Sequence, residues 1–362
     1  MLTPGDPAPY FTVRSTTNER FVFDTIGGRY VVLCFFGSAA DPAARRVLDD
    51  VAAARARFDP ENVVFLGVST DPDDERLGRV CREWPGAVYF WDFDRAVSRM
   101  YGAAPADGPG YRPHTVVLTP SLRVVTAAAV GEDPAAHVPA LLGLLDSLPP
   151  VRTLAGFAPV LVLPGVFEPD FCRLLVGLYD RNGGRESGFM REVDGRTVEV
   201  TDHGHKRRAD YDITDPDVIR AARTRLHRRV VPEIRKAFQF DATRVERHIV
   251  ACYDAAVGGH FRRHRDNTTK GTAHRRFAVT VNLNAHEYEG GDLRFPEFGP
   301  RTYRAPTGGA VVFSCSLLHE ATPVTRGKRY AYLPFLYDEA AAKVREENRG
   351  FIGAAESQPP AE

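Results

Sequence analysis

The sequence predicts two domains of different class, an α/β domain in the first half and an α+β domain in the second. Three observations carry this. Residues 30–148 alternate continuous apolar runs with amphipathic stretches. Residues 160–238 read as one short strand followed by helices, and strand-like runs then dominate as far as 337. Between the two patterns stands Ser147-Leu148-Pro149-Pro150, a proline pair of the kind that marks semi-rigid linkers, so the boundary is placed near residue 150.

The bulk numbers fit this division. A chain of 362 residues supports two or three domains. Hydrophobic residues make up 43% and charged residues 26%, ample material for a real core. The formal net charge is zero, which argues against nucleic acid or an anionic membrane as a bulk partner. No apolar run is long enough for a spanning helix, and Met1 to Arg20 lacks the pattern of a secretory signal. The five cysteines, Cys34, Cys81, Cys172, Cys252 and Cys315, are scattered and form no CxxC. A zinc site or disulfide framework is not expected, and a reducing cytoplasm fits best.

In the first half, Tyr30 to Phe36 is a continuous apolar run suited to a strand buried on both faces. Gly37-Ser38 breaks it. Asp41-Pro42 opens a helix expected to reach Phe58, with Asp as cap and Pro at the first helical position. Val63 to Val68 is the next strand, Asp73 to Trp84 the next helix, and Tyr89-Phe90-Trp91 a short apolar segment. His114 to Leu118 and Arg123 to Val130 form a hairpin about Pro120-Ser121, and Ala135 to Leu148 closes the domain as a helix.

This half resembles the thioredoxin-like fold, and within it the peroxiredoxins. The residues that carry the resemblance are Pro4-Gly5-Asp6-Pro7-Ala8-Pro9, the strand Val31-Val32-Leu33-Cys34-Phe35-Phe36 before a helix, and Arg112-Pro113-His114-Thr115-Val116-Val117. Pro113 stands where that fold usually places a proline, often cis. The family's chemistry does not follow. Asp41 and Ala44 occupy the positions of the family's threonine and nucleophilic cysteine, where a helix N-terminus would depress a thiol pKa. Cys34 lies inside the strand and is a poor substitute. The domain is expected to be redox-inactive. It then serves as a docking or dimerisation module, giving a homodimer through this domain, or only stabilises its neighbour.

In the second half, Val160 to Leu163 is a short strand, and Glu168-Pro169-Asp170 starts a helix through Tyr179. Asp180 to Gly188 is a glycine-rich loop. Met190 to Thr201 alternates about Asp194-Gly195, a hairpin signal. Asp215-Pro216 caps a long helix expected to reach Phe238 with a kink at Pro232. Strands follow at 246–254, 277–284, 292–295, 310–314, 317–321 and 329–337, separated by glycine turns. Helices first and strands afterwards match the layout of the double-stranded β-helix (jelly-roll) oxygenases. The expected organisation is 1–150 thioredoxin-like, 151–240 helical lead-in, 241–340 double-stranded β-helix core, and 341–362 a flexible tail.

Chemistry concentrates between Ile249 and Tyr337. His264-Arg265-Asp266 puts an imidazole and a carboxylate two residues apart, able to face one way on a strand. His319 follows 55 residues later and Arg329 ten beyond it. Two imidazoles and one carboxylate make the facial set that suits Fe(II) and leaves coordination positions open. Arg329 can grip a carboxylate at two points, as the far end of 2-oxoglutarate requires.

With these motifs the stretch resembles the prolyl 4-hydroxylase family of Fe(II)/2-oxoglutarate dioxygenases. The matching residues are Val250-Ala251-Cys252-Tyr253, Gly258-Gly259-His260-Phe261, His264-Arg265-Asp266-Asn267, Asn282-Leu283-Asn284, Gly290-Gly291-Asp292-Leu293-Arg294-Phe295, Gly308-Gly309-Ala310-Val311-Val312-Phe313, and His319-Glu320 with Gly327-Lys328-Arg329-Tyr330. The resemblance implies that His264, Asp266 and His319 bind iron, that Arg329 binds 2-oxoglutarate, and that Tyr253 hydrogen-bonds it. Asn282 stands where many relatives carry a tyrosine that contacts the cosubstrate. His203, His205, Arg207, Arg208 and Asn267 are candidates for substrate contact, with Asp210 and Tyr211 beside them; His260 reads as a loop histidine.

The reaction implied is hydroxylation of an unactivated C–H, coupled to conversion of 2-oxoglutarate and O₂ to succinate and CO₂, with ascorbate as reductant. A prolyl or other residue of a protein or peptide is the leading substrate. A small molecule or a carrier-bound intermediate of a biosynthetic pathway is the alternative. A non-catalytic sensor or scaffold is the reading from another class.

Overall fold

The computed structural model describes residues 2–80 and 84–353. They form two compact units, one of Met1–Phe157 with Pro296–Arg301, the other of Ala158–Phe295 with Thr302–Glu362.

The first unit is built on a five-stranded sheet. Its order is Ala87–Trp91, Val63–Ser69, Tyr30–Gly37, His114–Leu118, Val124–Ala129, parallel across the first three and antiparallel across the last three. Every residue of Tyr30–Gly37 is buried. Val31, Leu33 and Phe35 join one core and Val32, Cys34 and Phe36 another, so the strand has apolar layers on both faces. Pro42–Ala53 buries Ala44, Val47, Leu48 and Val51, a stripe at helical spacing.

Several expectations are corrected here. The helix begun at Pro42 stops at Ala53 rather than Phe58, and a 3₁₀ turn Arg55–Arg57 follows. The helix expected from Asp73 to Trp84 is a short one, Pro72–Arg76, with Gly78 at φ +63° just beyond it; Cys81, Arg82 and Glu83 lie outside the described residues. A helix Ala96–Met100 was not anticipated. Asp92 supports it by accepting hydrogen bonds from the Val97 (2.9 Å) and Ser98 (2.7 Å) amides. No described peptide bond is cis, that of Pro113 included.

The second unit is two antiparallel sheets facing each other. The larger runs Arg244–Glu246, Phe335–Tyr337, Phe277–Asn282, Lys328–Tyr332, Ile249–Asp254, Ala209–Asp212, Arg185–Glu186, with Ala310–Ser314 paired to Phe277–Asn282 and Leu161–Leu163 beyond it. The smaller runs Lys206–Arg207, His260–His264, His319–Ala321, Leu293–Arg294, Thr302–Tyr303. Strand alternation separates the two faces of the larger sheet. Val250, Cys252, Val279, Val281, Tyr330 and Tyr332 pack with Leu175, Leu226 and Ile234 of the helices. Ile249, Ala251, Tyr253, Ala331 and Leu333 face inward with Phe261 and Ala321 of the smaller sheet.

Here too the structure differs in detail. The long helix is two, Pro216–Arg229 and Val231–Phe238, meeting at Val230 because Pro232 has no amide proton to continue the first. The strand expected at 246–254 is divided at Arg247, which has φ +51°. The strand expected at 329–337 is divided at Leu333-Pro334. The tail expected to be flexible begins as a helix, Glu339–Glu347, with Asp338 accepting from the Ala341 amide at 2.8 Å and Ala341 fully buried. Residues 354–362 lie outside the described residues. No helix among the described residues is long and apolar enough to cross a membrane.

Candidate metal centre

His264 closes the strand His260–His264 and His319 opens the strand His319–Ala321, and the two are register partners. Their ring centroids lie 4.3 Å apart. Asp266 stands in the turn just past the strand rather than on it, held by its amide to the Cys315 carbonyl at 3.0 Å. From there one carboxylate oxygen lies 3.6 Å from His264 Nε2 and the other 3.4 Å from His319 Nε2. One donor atom from each of the three falls within 4.8 Å of the others.

The tautomers follow from the hydrogen bonds. His264 Nδ1 meets the Arg262 carbonyl at 2.7 Å and His319 Nδ1 meets the Leu317 carbonyl at 2.9 Å. A carbonyl can only accept, so each Nδ1 carries the proton and each Nε2 presents a lone pair to the centre. Two neutral imidazoles and one carboxylate, turned to a common point, fit a divalent metal ion. Burial, then the neighbouring His319, push His264 down to about 4, which keeps it unprotonated at neutral pH. Phe261 stacks on His264 at 3.5 Å and Phe313 packs edgewise on His319 at 4.6 Å, an apolar wall around the ligands.

Arg329 is 2% exposed, yet among the described residues its guanidinium forms no hydrogen bond or ion pair, and its Nε is a buried donor without partner. It lies opposite Tyr253 across paired strands, its guanidinium carbon 5.0 Å from the Tyr253 ring centroid. Tyr253 is itself buried, and its hydroxyl lies 3.4 Å from Arg208 Nη1. Asn282 donates one side-chain N–H to the Ala305 carbonyl at 2.7 Å, and its buried side-chain oxygen, which can only accept, has no partner among the described residues. A carboxylate gains nothing from such an oxygen.

The other sequence candidates separate into exposed and inward-facing members. His203 and Arg207 are exposed; His203 pairs with Glu186, and Arg207 donates to the Val257 carbonyl at 2.9 Å. His205 and Arg208 turn inward. The His205 ring lies 4.4 Å from Phe189, 5.6 Å from Phe261 and 6.5 Å from His264, and burial pushes it down to about 4. Arg208 holds Asp210 through two bonds of 2.7 and 2.6 Å. Asn267 donates to Ser316 Oγ at 2.8 Å, which ties the turn carrying Asp266 to the turn before His319. His260 Nδ1 meets the Gly258 carbonyl at 2.8 Å, and Tyr211 pairs with Val250 across strands.

Three further residues, Lys206 and Tyr288 buried and Arg247 half-buried, were not singled out from the sequence. Lys206, between His205 and Arg207, is 4% exposed and bonded to Ser187 Oγ at 2.6 Å. Tyr288 is 3% exposed with a buried hydroxyl that has no partner among the described residues. Its only sequence signal is an aromatic two residues before Gly290-Gly291. Arg247, at the interruption of a strand, gives no signal at all.

Comparison with known proteins agrees with both halves. The sequence model of the 2OG-Fe(II) oxygenase superfamily matches residues 248–337, and that of the AhpC/TSA family matches residues 4–127. The chain thus carries an AhpC/TSA-type domain followed by a 2OG-Fe(II) oxygenase domain, the class that uses Fe(II), 2-oxoglutarate and O₂. Among relatives, a PKHD-type hydroxylase of Synechococcus sp. (strain JA-2-3B'a(2-13)) is 34% identical over 89 residues, 23% of this chain and 39% of that protein. One of Nitrosomonas europaea is 31% identical over 112 residues, 28% of this chain and 49% of that protein. The chain therefore spans less than half the length of these relatives. Among solved structures, a Trichoplax adhaerens prolyl hydroxylase in complex with a hypoxia inducible factor peptide fragment is 18% identical (TM-score 0.40; 54% of this chain, 88% of that one). Peroxidoxin BcpB of Mycobacterium tuberculosis is also 18% identical (TM-score 0.35; 41% of this chain, 99% of that one).

Proposed function

We propose that the chain is an Fe(II)- and 2-oxoglutarate-dependent hydroxylase acting on an unactivated C–H, with a prolyl or other residue of a protein or peptide as substrate. His264, Asp266 and His319 hold the metal. Arg329, with Tyr253 and Tyr288, holds the far carboxylate of 2-oxoglutarate.

Bound Fe(II) supplies the activation of O₂ that couples loss of CO₂ from 2-oxoglutarate to hydroxylation. The protein's own groups do the rest. The two carbonyl-anchored imidazoles keep their Nε2 atoms aimed at the metal. Asp266 offsets part of its charge. Arg329 fixes the cosubstrate's orientation, and Phe261 and Phe313 keep water from the ligands.

The observation that carries the reading is Arg329. A buried guanidinium with no acid is costly unless a ligand supplies one. The names of the PKHD-type relatives support hydroxylation as the outcome.

The test is turnover without a substrate. Purified protein with Fe(II), ascorbate and 2-oxoglutarate is expected to form succinate, and H319A is expected to form none above background. Equal succinate from H319A and wild type would overturn the reading in favour of a non-catalytic scaffold.

A further inference from the structure

Several cations lie near the metal centre, and three of them, Arg208, Arg275 and Lys206, have partners that account for them. Arg208 is matched by Asp210 through two bonds. Arg275 is matched by Glu246 through bonds of 2.7 and 3.1 Å, and His274 shares that carboxylate at 2.7 Å. Lys206 is tied to the Ser187 hydroxyl and the Gly188 carbonyl, and burial, then Arg208, lower its pKa well below the usual value. A divalent metal, Asp266, a 2-oxoglutarate dianion and Arg329 cancel one another. Arg247 is left.

Among the described residues Arg247 forms no ion pair. Its one side-chain hydrogen bond runs from Nε to the Leu333 carbonyl at 3.1 Å. Its guanidinium carbon lies 4.4 Å from the centroid of the Phe335 ring, and that of Arg275 lies 4.1 Å from the same ring. Arg275 in turn reaches the Asp266 carbonyl at 3.4 Å. Arg247 is therefore one aromatic ring away from a side chain that touches a proposed metal ligand. Burial, then Arg208 and Arg275, push it down to about 10, so it stays charged at neutral pH.

The backbone adds a second, independent observation. Arg247 has φ +51°, in the left-handed region that favours glycine, and it interrupts a strand to reach it. Strained backbone of this kind persists where surrounding structure enforces it, and it gathers at ligand sites. An arginine without an acid, kept at a position suited to glycine, points to a ligand that the guanidinium serves.

We propose that Arg247 receives an anionic group of the substrate, a carboxylate or a phosphate, beside the metal centre. The inference rests on the cosubstrate reading above, which assigns 2-oxoglutarate to Arg329 and leaves Arg247 for the substrate. It narrows the substrate class to acidic molecules or to peptide segments bearing an acidic, phosphorylated or C-terminal group near the hydroxylated carbon.

The experiment uses the full chain loaded with Mn(II) and saturating 2-oxoglutarate, titrated calorimetrically with inorganic phosphate and, separately, with acetate. Wild type is expected to bind one equivalent of at least one anion, and the tighter of the two names the group. R247M is expected to bind it about tenfold more weakly or worse, the loss of a charge-assisted hydrogen bond, and R247K to recover most of the affinity. R247G is expected to lose the anion as R247M does while unfolding no more easily than wild type, because glycine adopts the positive φ freely. Unchanged anion affinity in R247M and R247G, or no binding by wild type, overturns the proposal. Failure of the cosubstrate reading shows separately, as absence of 2-oxoglutarate binding. The anion titration on the Mn(II) protein alone then still decides the role of Arg247.

Discussion

Arg329 Nε and the Tyr288 hydroxyl are two buried polar atoms without partners, and Gly291 lies between their side chains. A Cβ added at Gly291 would stand 3.1 Å from Arg329 Cδ and 3.5 Å from Tyr288 Cε2. Orphaned buried donors are rare in folded proteins, so two flanking one glycine call for a shared acceptor. A carboxylate can accept from both at once. Tyr288 then supplies a hydrogen bond to it, whereas Asn282 has one N–H on the Ala305 carbonyl and a buried oxygen that only accepts.

Y288F is accordingly expected to weaken 2-oxoglutarate binding to the Mn(II) protein about tenfold, and R329M about a hundredfold, with R329K intermediate. N282A is expected to change it little. Calorimetric titration of 2-oxoglutarate checks all four. If N282A weakened binding more than Y288F, the assignment would be reversed.

Much of this centre was legible in the sequence, and the reason is geometric. His264, His319 and Arg329 sit on strands and follow in a fixed order along the chain, which a sequence displays, and Asp266 comes two residues after His264, though in the turn rather than on the strand. Tyr288 was not legible because its part depends on nearness to Arg329 across Gly291, a relation made only by folding. Arg247 was hidden for a different reason. It breaks its strand without glycine or proline, so nothing in the residue type announces the turn. The C-terminal helix, by contrast, had its signals, since Asp338 before Glu339-Ala340-Ala341-Ala342-Lys343 is a cap followed by good helix formers. The basic cluster His203 to Arg208 was read as one patch, yet a turn at 203–205 running into the short strand Lys206–Arg207 divides it into exposed and inward members.

The first unit offers a pH test with its own reporter. His114 and His137 are 3% and 7% exposed. His114 stacks on Phe35 with Nδ1 at the Arg112 carbonyl, and His137 meets Thr115 Oγ1 at 2.9 Å. Burial lowers both below the ordinary 6.5. The unfolded chain therefore takes up protons first as pH falls through 6.5, and stability declines from there until the folded pKa values are passed. Both tryptophans, Trp84 and Trp91, belong to this unit, so their fluorescence follows it specifically. Urea midpoints by tryptophan fluorescence are expected to fall between pH 7 and pH 5, less steeply in H137Q. A flat profile in wild type would exclude the two histidines as the cause.

The same unit is expected to lack thiol chemistry, and the cap of its helix Pro42–Ala53 offers a test of the reason. At the start of Pro42–Ala53 the Asp41 carboxylate accepts from the Ala43 amide at 2.9 Å and the Ala44 amide at 3.0 Å. These are the donors that would otherwise stabilise a thiolate at position 44. Cys34 is no substitute, since burial pushes its pKa up to about 11. Wild type is thus expected to consume no peroxide. A44C alone is expected to keep a thiol of nearly ordinary pKa, because Asp41 holds the amides and adds a nearby negative charge. D41A/A44C frees those amides and is expected to lower the thiol pKa by about one unit, with about 1 kcal/mol of helix stability at stake in the loss of the cap. The pH dependence of alkylation measures both thiols. A thiol in A44C already as acidic as in the double variant would show that the Asp41 cap is not what silences this site.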